Sequence, residues 1–306
     1  MKTFSEYKNS SNNRSVNEAA VTQYTLFPKD KSELNNMIHD EIVKQGTEAD
    51  LNHIDVSNVT DFSCLFKWAS FNGDISKWDV SNATNMREMF YGDRYFNGDI
   101  SEWDVSNVKN MGGMFFGCKS FNQDLSGWDV SNVIDMNGLF YGADNFNGDI
   151  STWDVRNVKN MSFMFWQCAS FNGNLKRWNT KNVENMTSMF TYAESFNQDI
   201  SRWDVSNVTD MHEMFSGCRS FNQDISRWDV SKVTDMHSVF YEAKSFNQDL
   251  SGWDVSNVTD MSTMFEGAES FNQDISGWDV SRVENNTDMF FNCPCPEEHQ
   301  PKFNLK

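Results

Sequence analysis

Large apolar residues recur along the chain with a period of 25 residues. Each period opens with the pair Phe-Asn, and a Trp follows seven residues after the Phe; the pairs begin at positions 71, 96, 121, 146, 171, 196, 221, 246 and 271. A shorter first unit has Leu51 and Ile54 in the places of Ile75 and Trp78. Such a period is typical of stacked repeats, because one repeat cannot bury its apolar side chains alone. The pattern predicts about ten stacked coils over residues 50–292.

The spacing inside one repeat predicts a strand followed by a helix. In residues 196–220, Trp203 and Val205 alternate with polar residues, as in a half-buried strand. Large apolar residues then recur at helical spacing from Val208 to Phe215. We therefore expect an α/β solenoid in which each 25-residue coil combines a short parallel β-strand with a short helix.

The segments outside the repeats predict how the stack ends. Residues 1–24 are polar, which favours a disordered N-terminus. Residues 25–49 contain an amphipathic pattern that predicts a helical cap. Residues 293–306 contain prolines and are interpreted as a closing segment. An uncovered end would leave backbone groups free to pair with other chains, which is why both ends need a cap.

The charge balance disfavours some classes of partner. Asp and Glu number 44 against 25 Lys and Arg, which gives a formal net charge of -19. Nucleic acid binding needs a basic surface, so we expect no nucleic acid partner. The sequence contains no run of about eighteen apolar residues, so we expect no membrane span. We also identify no signal peptide, lipobox or sorting signal.

Two columns of aspartate, represented by Asp199 and Asp204, are candidates for calcium binding. Each Asp is better interpreted as accepting a backbone N–H at a turn, because Asn174 and Asn179 replace the pair in one repeat and Asn weakens a calcium site. The Asn column that begins at Asn72 is interpreted as a ladder of bonds to the backbone.

The cysteines predict buried thiols rather than disulfides. Cys118, Cys168 and Cys218 alternate with Ala in one column and lie 50 residues apart. Two coils separate neighbouring members by about 10 Å, which is too far for a disulfide. Cys64 and Cys295 are expected to be exposed.

His212 and His237 are the two histidines that stacking should bring together. With Glu213 beside them they could hold a metal ion, although chance variation in a surface column is the simpler interpretation. The repeats show no catalytic motif. We therefore predict no enzymatic activity, no cofactor and no metal.

Two variable columns are the candidates for partner binding. One places aromatic residues in four consecutive repeats; they are Tyr91, Phe116, Tyr141 and Trp166. Aromatic anchors are typical of protein or glycan recognition, and packing between neighbouring coils is the alternative. The other column gives a basic cluster in an acidic chain; its residues are Lys176, Arg177, Lys181, Arg202 and Arg227. This cluster would dock an acidic partner or balance charge within the stack.

The repeated phrase FNQDISRWDVSNVTDMHEMF resembles the bacterial surface protein repeat of about 25 residues. That repeat occurs in Listeria-type surface proteins and mycoplasma lipoproteins, and it is related to BspA-like leucine-rich repeat surface proteins. The resemblance covers residues 50–292. It implies a right-handed, leucine-rich-repeat-like solenoid at the cell surface or secreted, with adhesion or host interaction as its role.

These features together predict a non-enzymatic, adhesin-like repeat protein that presents an extended surface to a protein or glycan partner. The alternatives are a structural spacer rod without a specific ligand and a calcium-binding solenoid. A monomer is the favoured state.

Overall fold

The computed structural model describes residues 24–303. The segment predicted to be disordered, residues 1–24, lies outside this range apart from Tyr24. The last residues of the predicted closing segment, 304–306, also lie outside it.

Helix α1 (Lys31–Gln45) precedes the repeats. Asp30 caps its first turn by accepting a hydrogen bond from a backbone N–H, and Gly46 follows its last turn. Leu34 and Ile38 on its inner side are buried and belong to the same apolar core as the repeats. The helix therefore covers the first repeat with apolar side chains.

A short 3₁₀-helix, Glu297–His299, follows the last repeat. The carbonyl of His299 accepts a hydrogen bond from the N–H of Ile275 (2.9 Å), which joins this segment to the final repeat. Neither helix in the described part of the chain has the length and apolar character needed to cross a bilayer, as predicted.

The repeats contain neither the predicted strands nor the predicted helices. Over residues 24–303, α1 and the 3₁₀-helix are the only helices, and strand-like pairing is limited to isolated parallel bridges such as Asn85 with Asn110. The prediction of an α/β solenoid with a strand and a helix in each coil is therefore wrong. Each repeat is instead a succession of turns.

The segment predicted to be helical directs its hydrogen bonds to the next repeat. The N–H groups of alternate residues donate to carbonyls in that repeat at 2.6–2.9 Å; the pairs are Met86 to Asn110, Glu88 to Gly112, Phe90 to Met114 and Gly92 to Phe116. An α-helix would instead use the carbonyl four residues back in the same segment. Glu88 and Gly92 also have positive φ angles of 54° and 73°, which a right-handed helix does not contain.

The segment predicted to be a strand is interrupted by tight turns. The N–H of Trp203 donates to the carbonyl of Ile200 (3.1 Å), and the N–H of Val208 donates to that of Val205 (2.9 Å). A chain that turns twice within nine residues cannot extend as a strand. The alternation of Trp and Val with polar residues reflects these turns, which direct both side chains inward.

The two aspartate columns form the predicted turns. Asp199 accepts from the N–H of Ser201 at 3.0 Å, and Asp204 accepts from the N–H of Ser206 at 3.1 Å. In the repeat that carries Asn instead, Asn174 makes the same bond to the next-but-one N–H at 3.1 Å. The turn interpretation of these columns is confirmed.

The asparagine column is a ladder of side-chain bonds to the backbone, which confirms the prediction. The side-chain oxygen of Asn147 accepts from the N–H of Asn172 in the next repeat (2.9 Å). Asn172 accepts in turn from Asn197 (3.0 Å), and the same bond recurs from Asn72 to Asn272. The ladder therefore fixes the register of each repeat against the next.

Stacked aromatic rings fill the centre of the repeats. Phe165 is fully buried and stacks on Phe140 (5.8 Å between ring centroids) and on Phe190 (5.4 Å). Trp178 stacks on Trp153 at 6.3 Å and donates its indole N–H to a carbonyl of the preceding repeat (3.2 Å). The core is therefore continuous from one repeat to the next, and all repeats share it.

We expect Phe165→Ala to lower the free energy of unfolding by about 3–5 kcal/mol, because it leaves a cavity inside the ring stack. Phe291→Ala is the matched control, since Phe291 is 56% exposed; its cost is expected to stay below about 0.5 kcal/mol. Urea unfolding of both variants measures the difference. Equal losses for the two variants would show that the ring stack does not hold the repeats together.

Candidate functional site

The four aromatic residues singled out in the sequence form one continuous stack. Ring centroids are 4.2 Å apart between Tyr91 and Phe116, 4.1 Å between Phe116 and Tyr141, and 4.2 Å between Tyr141 and Trp166, with planes within 12° of parallel. All four side chains are half-buried. We call these four residues the aromatic ridge. Because each ring covers the face of the next, the ridge presents mainly ring edges along its length.

A groove of about 310 Å³ runs along one side of the ridge. Gly113 and Gly138 form its floor, both with φ near +60°. The same backbone position carries Glu88 before this pair and Phe163 after it. The two missing side chains therefore open the groove, and Glu88 and Phe163 mark its ends. We call it the first groove.

A second groove of about 160 Å³ lies on the other side of the ridge. Its floor consists of Gly92, Gly117 and Gly142, which again have positive φ angles. Trp68 and Gln167 hold the same backbone position at the two ends. Neither groove was predicted from the sequence, although the glycines aligned in neighbouring repeats were a signal for them.

Two side chains pack against Tyr91, the first ring of the ridge: one is aromatic and the other is a cation. Trp68 meets Tyr91 edge to face at 5.3 Å, and the ammonium of Lys67 lies 4.5 Å from the Tyr91 ring centroid. Lys67 also pairs with Glu88 at 2.6 Å. The hydrogen bond from Lys67 lowers the pKa of Glu88, so this carboxylate stays charged beside the first groove.

The regular stack of rings stops after Trp166. The next two repeats carry Thr191 and Ser216 at the ridge position, and a ring returns only at Tyr241. A cavity of about 400 Å³ fills the gap. We call this interruption, between Trp166 and Tyr241, the column break.

The basic cluster lies at another position of the repeat and is only partly neutralised. Arg177, Arg202 and Arg227 are exposed in three consecutive repeats, and in the described part of the chain their guanidinium groups form no ion pair within 4.0 Å. Lys176 pairs with Asp199 at 2.8 Å. That hydrogen bond, with a further one from Ser201, lowers the pKa of Asp199. Lys181 is exposed.

The two stacked histidines meet as predicted. Their ring centroids are 4.6 Å apart, and His212 Nδ1 lies 2.6 Å from Asp210 and His237 Nδ1 lies 2.8 Å from Asp235. Asp235, rather than the predicted Glu213, is the third residue of the group that could hold a metal ion, with ligand atoms within 4.8 Å of one another.

His212 is favoured at this position because it can be protonated beside the carboxylate of Asp210. The hydrogen bond to Asp210 raises the pKa of His212. Burial alone would raise the pKa of Asp210, but its bonds to the side chain and backbone of His212 outweigh burial and lower it. A protonated His212 therefore neutralises a carboxylate that is stacked between repeats.

The cysteine column is buried as predicted. Cys118, Cys168 and Cys218 are fully buried, and each thiol contacts a backbone carbonyl at 2.8–3.1 Å. All six cysteines are free, and Cys64 is exposed as expected. The expectation that Cys295 is exposed is wrong: the residue is buried and its thiol lies 3.7 Å from the carbonyl of Gln273 in the last repeat, and burial raises its pKa to about 12.

The pH dependence of stability tests the His212–Asp210 pair. Because the pKa of His212 is raised by folding, its contribution is complete below the unfolded value of about 6.5 and is lost as pH rises through the folded value. We expect His212→Gln to cost about 0.3–1 kcal/mol more at low pH than at high pH, a small difference because solvent screens the pair. Urea unfolding at about pH 5.5 and about pH 9 measures it.

Asp210→Asn is the control for this measurement. It removes the carboxylate but keeps the shape of the side chain, so His212→Gln in that background is expected to lose most of its pH dependence. An unchanged pH dependence would assign the effect to another group.

Thermal unfolding tests the calcium alternative for the aspartate columns. We expect the same Tm in excess EDTA and in millimolar CaCl₂, because one oxygen of Asp199 or Asp204 is already occupied by the turn, whereas Ca²⁺ takes about 6–8 oxygen ligands. A Tm that rises by several degrees with calcium, but not with magnesium, contradicts the turn as the sole role.

Comparison with known proteins identifies a family but no individual relative. A family model described as "Mycoplasma protein of unknown function, DUF285" matches residues 32–143, 123–224 and 198–303. These overlapping segments cover most of the chain and confirm the mycoplasma-type repeat that the sequence phrase indicated. No curated protein matches the chain.

Proposed function

We propose that this chain, which belongs to the DUF285 family, is a non-enzymatic binding protein that docks a protein partner on the aromatic ridge. The observation that carries the proposal is the combination of a half-buried ring stack with a glycine-floored groove on each side. Buried aromatic anchors in pockets dominate the energetics of protein interfaces. The four ridge residues supply aromatic anchors, and the two grooves supply pockets for side chains of the partner.

The ring geometry favours a protein over a glycan. A sugar ring stacks on the face of an aromatic ring, but the inner faces of Phe116 and Tyr141 are covered by their neighbours at about 4 Å. The first groove, by contrast, is lined by Gly113 and Gly138 and has room for side chains between its closed ends. We therefore propose an extended segment of a protein partner as the occupant.

The basic cluster is proposed as a second contact for an acidic part of the partner. Its support is the exposure of Arg177, Arg202 and Arg227 on a chain with a net charge of -19. Complementary charge of this kind raises association rates and selects partners. An adhesin-like role fits the resemblance to bacterial surface repeats.

A structural spacer is the second candidate function. It is favoured by the regularity of the core, in which stacked rings continue from Phe66 to Phe290. A rod needs only that regularity. The spacer function does not explain why glycines are aligned on both sides of the ridge.

Filling the first groove tests the main proposal. Gly138→Phe places there the side chain that Phe163 already carries at the same positive-φ position, and an added Cβ meets no atom closer than 3.8 Å. We expect peptides selected on the wild-type chain from a displayed random library to bind this variant at least about tenfold more weakly. Thr263→Phe, at the equivalent position away from both grooves, is the matched control.

The outcomes separate the candidate functions. Peptides that lose affinity for Gly138→Phe but not for Thr263→Phe support docking on the ridge. Peptides that lose affinity only when Arg177, Arg202 and Arg227 are changed to Glu place the dock on the basic cluster. A library that yields no specific peptide supports the spacer.

A further inference from the structure

The geometry points to the column break as a binding site for an organic ammonium group, either the head of a small quaternary amine or a lysine side chain. This site meets the ridge at Trp166 but shares no lining residue with either groove, and it does not depend on the function proposed above. Its cavity of about 400 Å³ is lined by three aromatic residues, one carboxylate and three hydroxyl residues.

The aromatic residues form the walls of the cavity. Trp166 stacks on Tyr141 with one face (4.2 Å), and the repeat on its other side has Thr191 at the ridge position instead of a ring. Tyr192 meets Trp166 at 88°, with centroids 6.2 Å apart, so the two rings form a corner. Tyr241 closes the opposite end. The faces of aromatic rings attract cations.

The carboxylate of Glu213 gives the cavity a negative charge. Glu213 lines the cavity, and its side chain is held by a hydrogen bond from the hydroxyl of Ser188 (3.2 Å). No Lys or Arg is among the lining residues. The remaining lining groups, Ser216 and Ser238 among them, are neutral. An anion would be repelled there, whereas a cation gains both the carboxylate and the rings.

The cavity also has a suitable size. A volume of about 400 Å³ lies within the usual range for small-molecule sites. A trimethylammonium head is rounded and weakly hydrated, so aromatic walls replace its water at low cost. Neutral sugars, which could use the same hydroxyl groups, gain nothing from the charge of Glu213 and are an outcome that the experiment separates.

Isothermal titration of the full chain with choline tests the site. The uncharged isostere 3,3-dimethylbutanol has the same shape without the charge, and we expect choline to bind at least about tenfold more tightly than it. Titration with Nα-acetyl-lysine methylamide compares the second source of the same group. Tighter binding of choline assigns a small quaternary amine, and tighter binding of the lysine derivative assigns a protein side chain.

Two variants connect the binding to the named residues. Glu213→Gln keeps the shape of the side chain and Trp166→Phe keeps a ring over Tyr141, so both are expected to fold, and each should weaken choline by about tenfold or more. Glu102→Gln removes an exposed carboxylate from a different column and should leave the affinity unchanged.

Three results would overturn the inference. The first is equal affinity for choline and its uncharged isostere, and the second is binding of glucose in preference to every ammonium compound. The third is the absence of measurable heat for either ammonium compound at millimolar concentration. Docking in the first groove is tested separately, because Gly138→Phe and Thr263→Phe change residues that do not line this cavity.

Discussion

The hydrogen bond from one repeat to the next determines the rest of this structure. In the segment around Met86–Gly92, alternate N–H groups point along the stack and donate to the following repeat. The residues between them close short turns within the repeat, and the left-handed backbone at Glu88 and Gly92 makes both directions possible. Alternate backbone donors that an α-helix would satisfy internally are used instead to hold two layers together.

This arrangement separates two kinds of side-chain column. Inward columns must match their neighbours ring on ring, as Phe140 and Phe165 do, because any change in size opens a gap in the shared core. The column at the left-handed position lies outside the ring stack and has no such restriction, and it holds Gly138, Phe163 and Ser188 in consecutive repeats. The grooves and the column break therefore arise where the core does not dictate the residue.

The repeats and their buried columns could be predicted from the sequence, whereas the backbone conformation within a repeat could not, for a physical reason. The 25-residue period identified the repeats, the buried cysteines and the turn-forming aspartates, because each depends on residue type at a fixed position. The helix prediction failed because the spacing from Val208 to Phe215 fits one face of a helix, and two consecutive turns direct the same residues inward. Nothing in the residue type of Glu88 or Phe163 marks a left-handed backbone. The shape of the surface at those positions could therefore not be predicted from the sequence.

The register between repeats has a consequence for how such a chain can change in length. Each layer offers the next the same donors, acceptors and rings, so recombination that adds or deletes a whole 25-residue unit leaves every remaining junction chemically equivalent. Residues 196–220 and 221–245 are near copies, as a unit exchange of this kind would leave them. A single-residue insertion, by contrast, shifts all later columns in that layer. The distance between two surface features can therefore grow or shrink only in steps of one layer, about 4.8 Å.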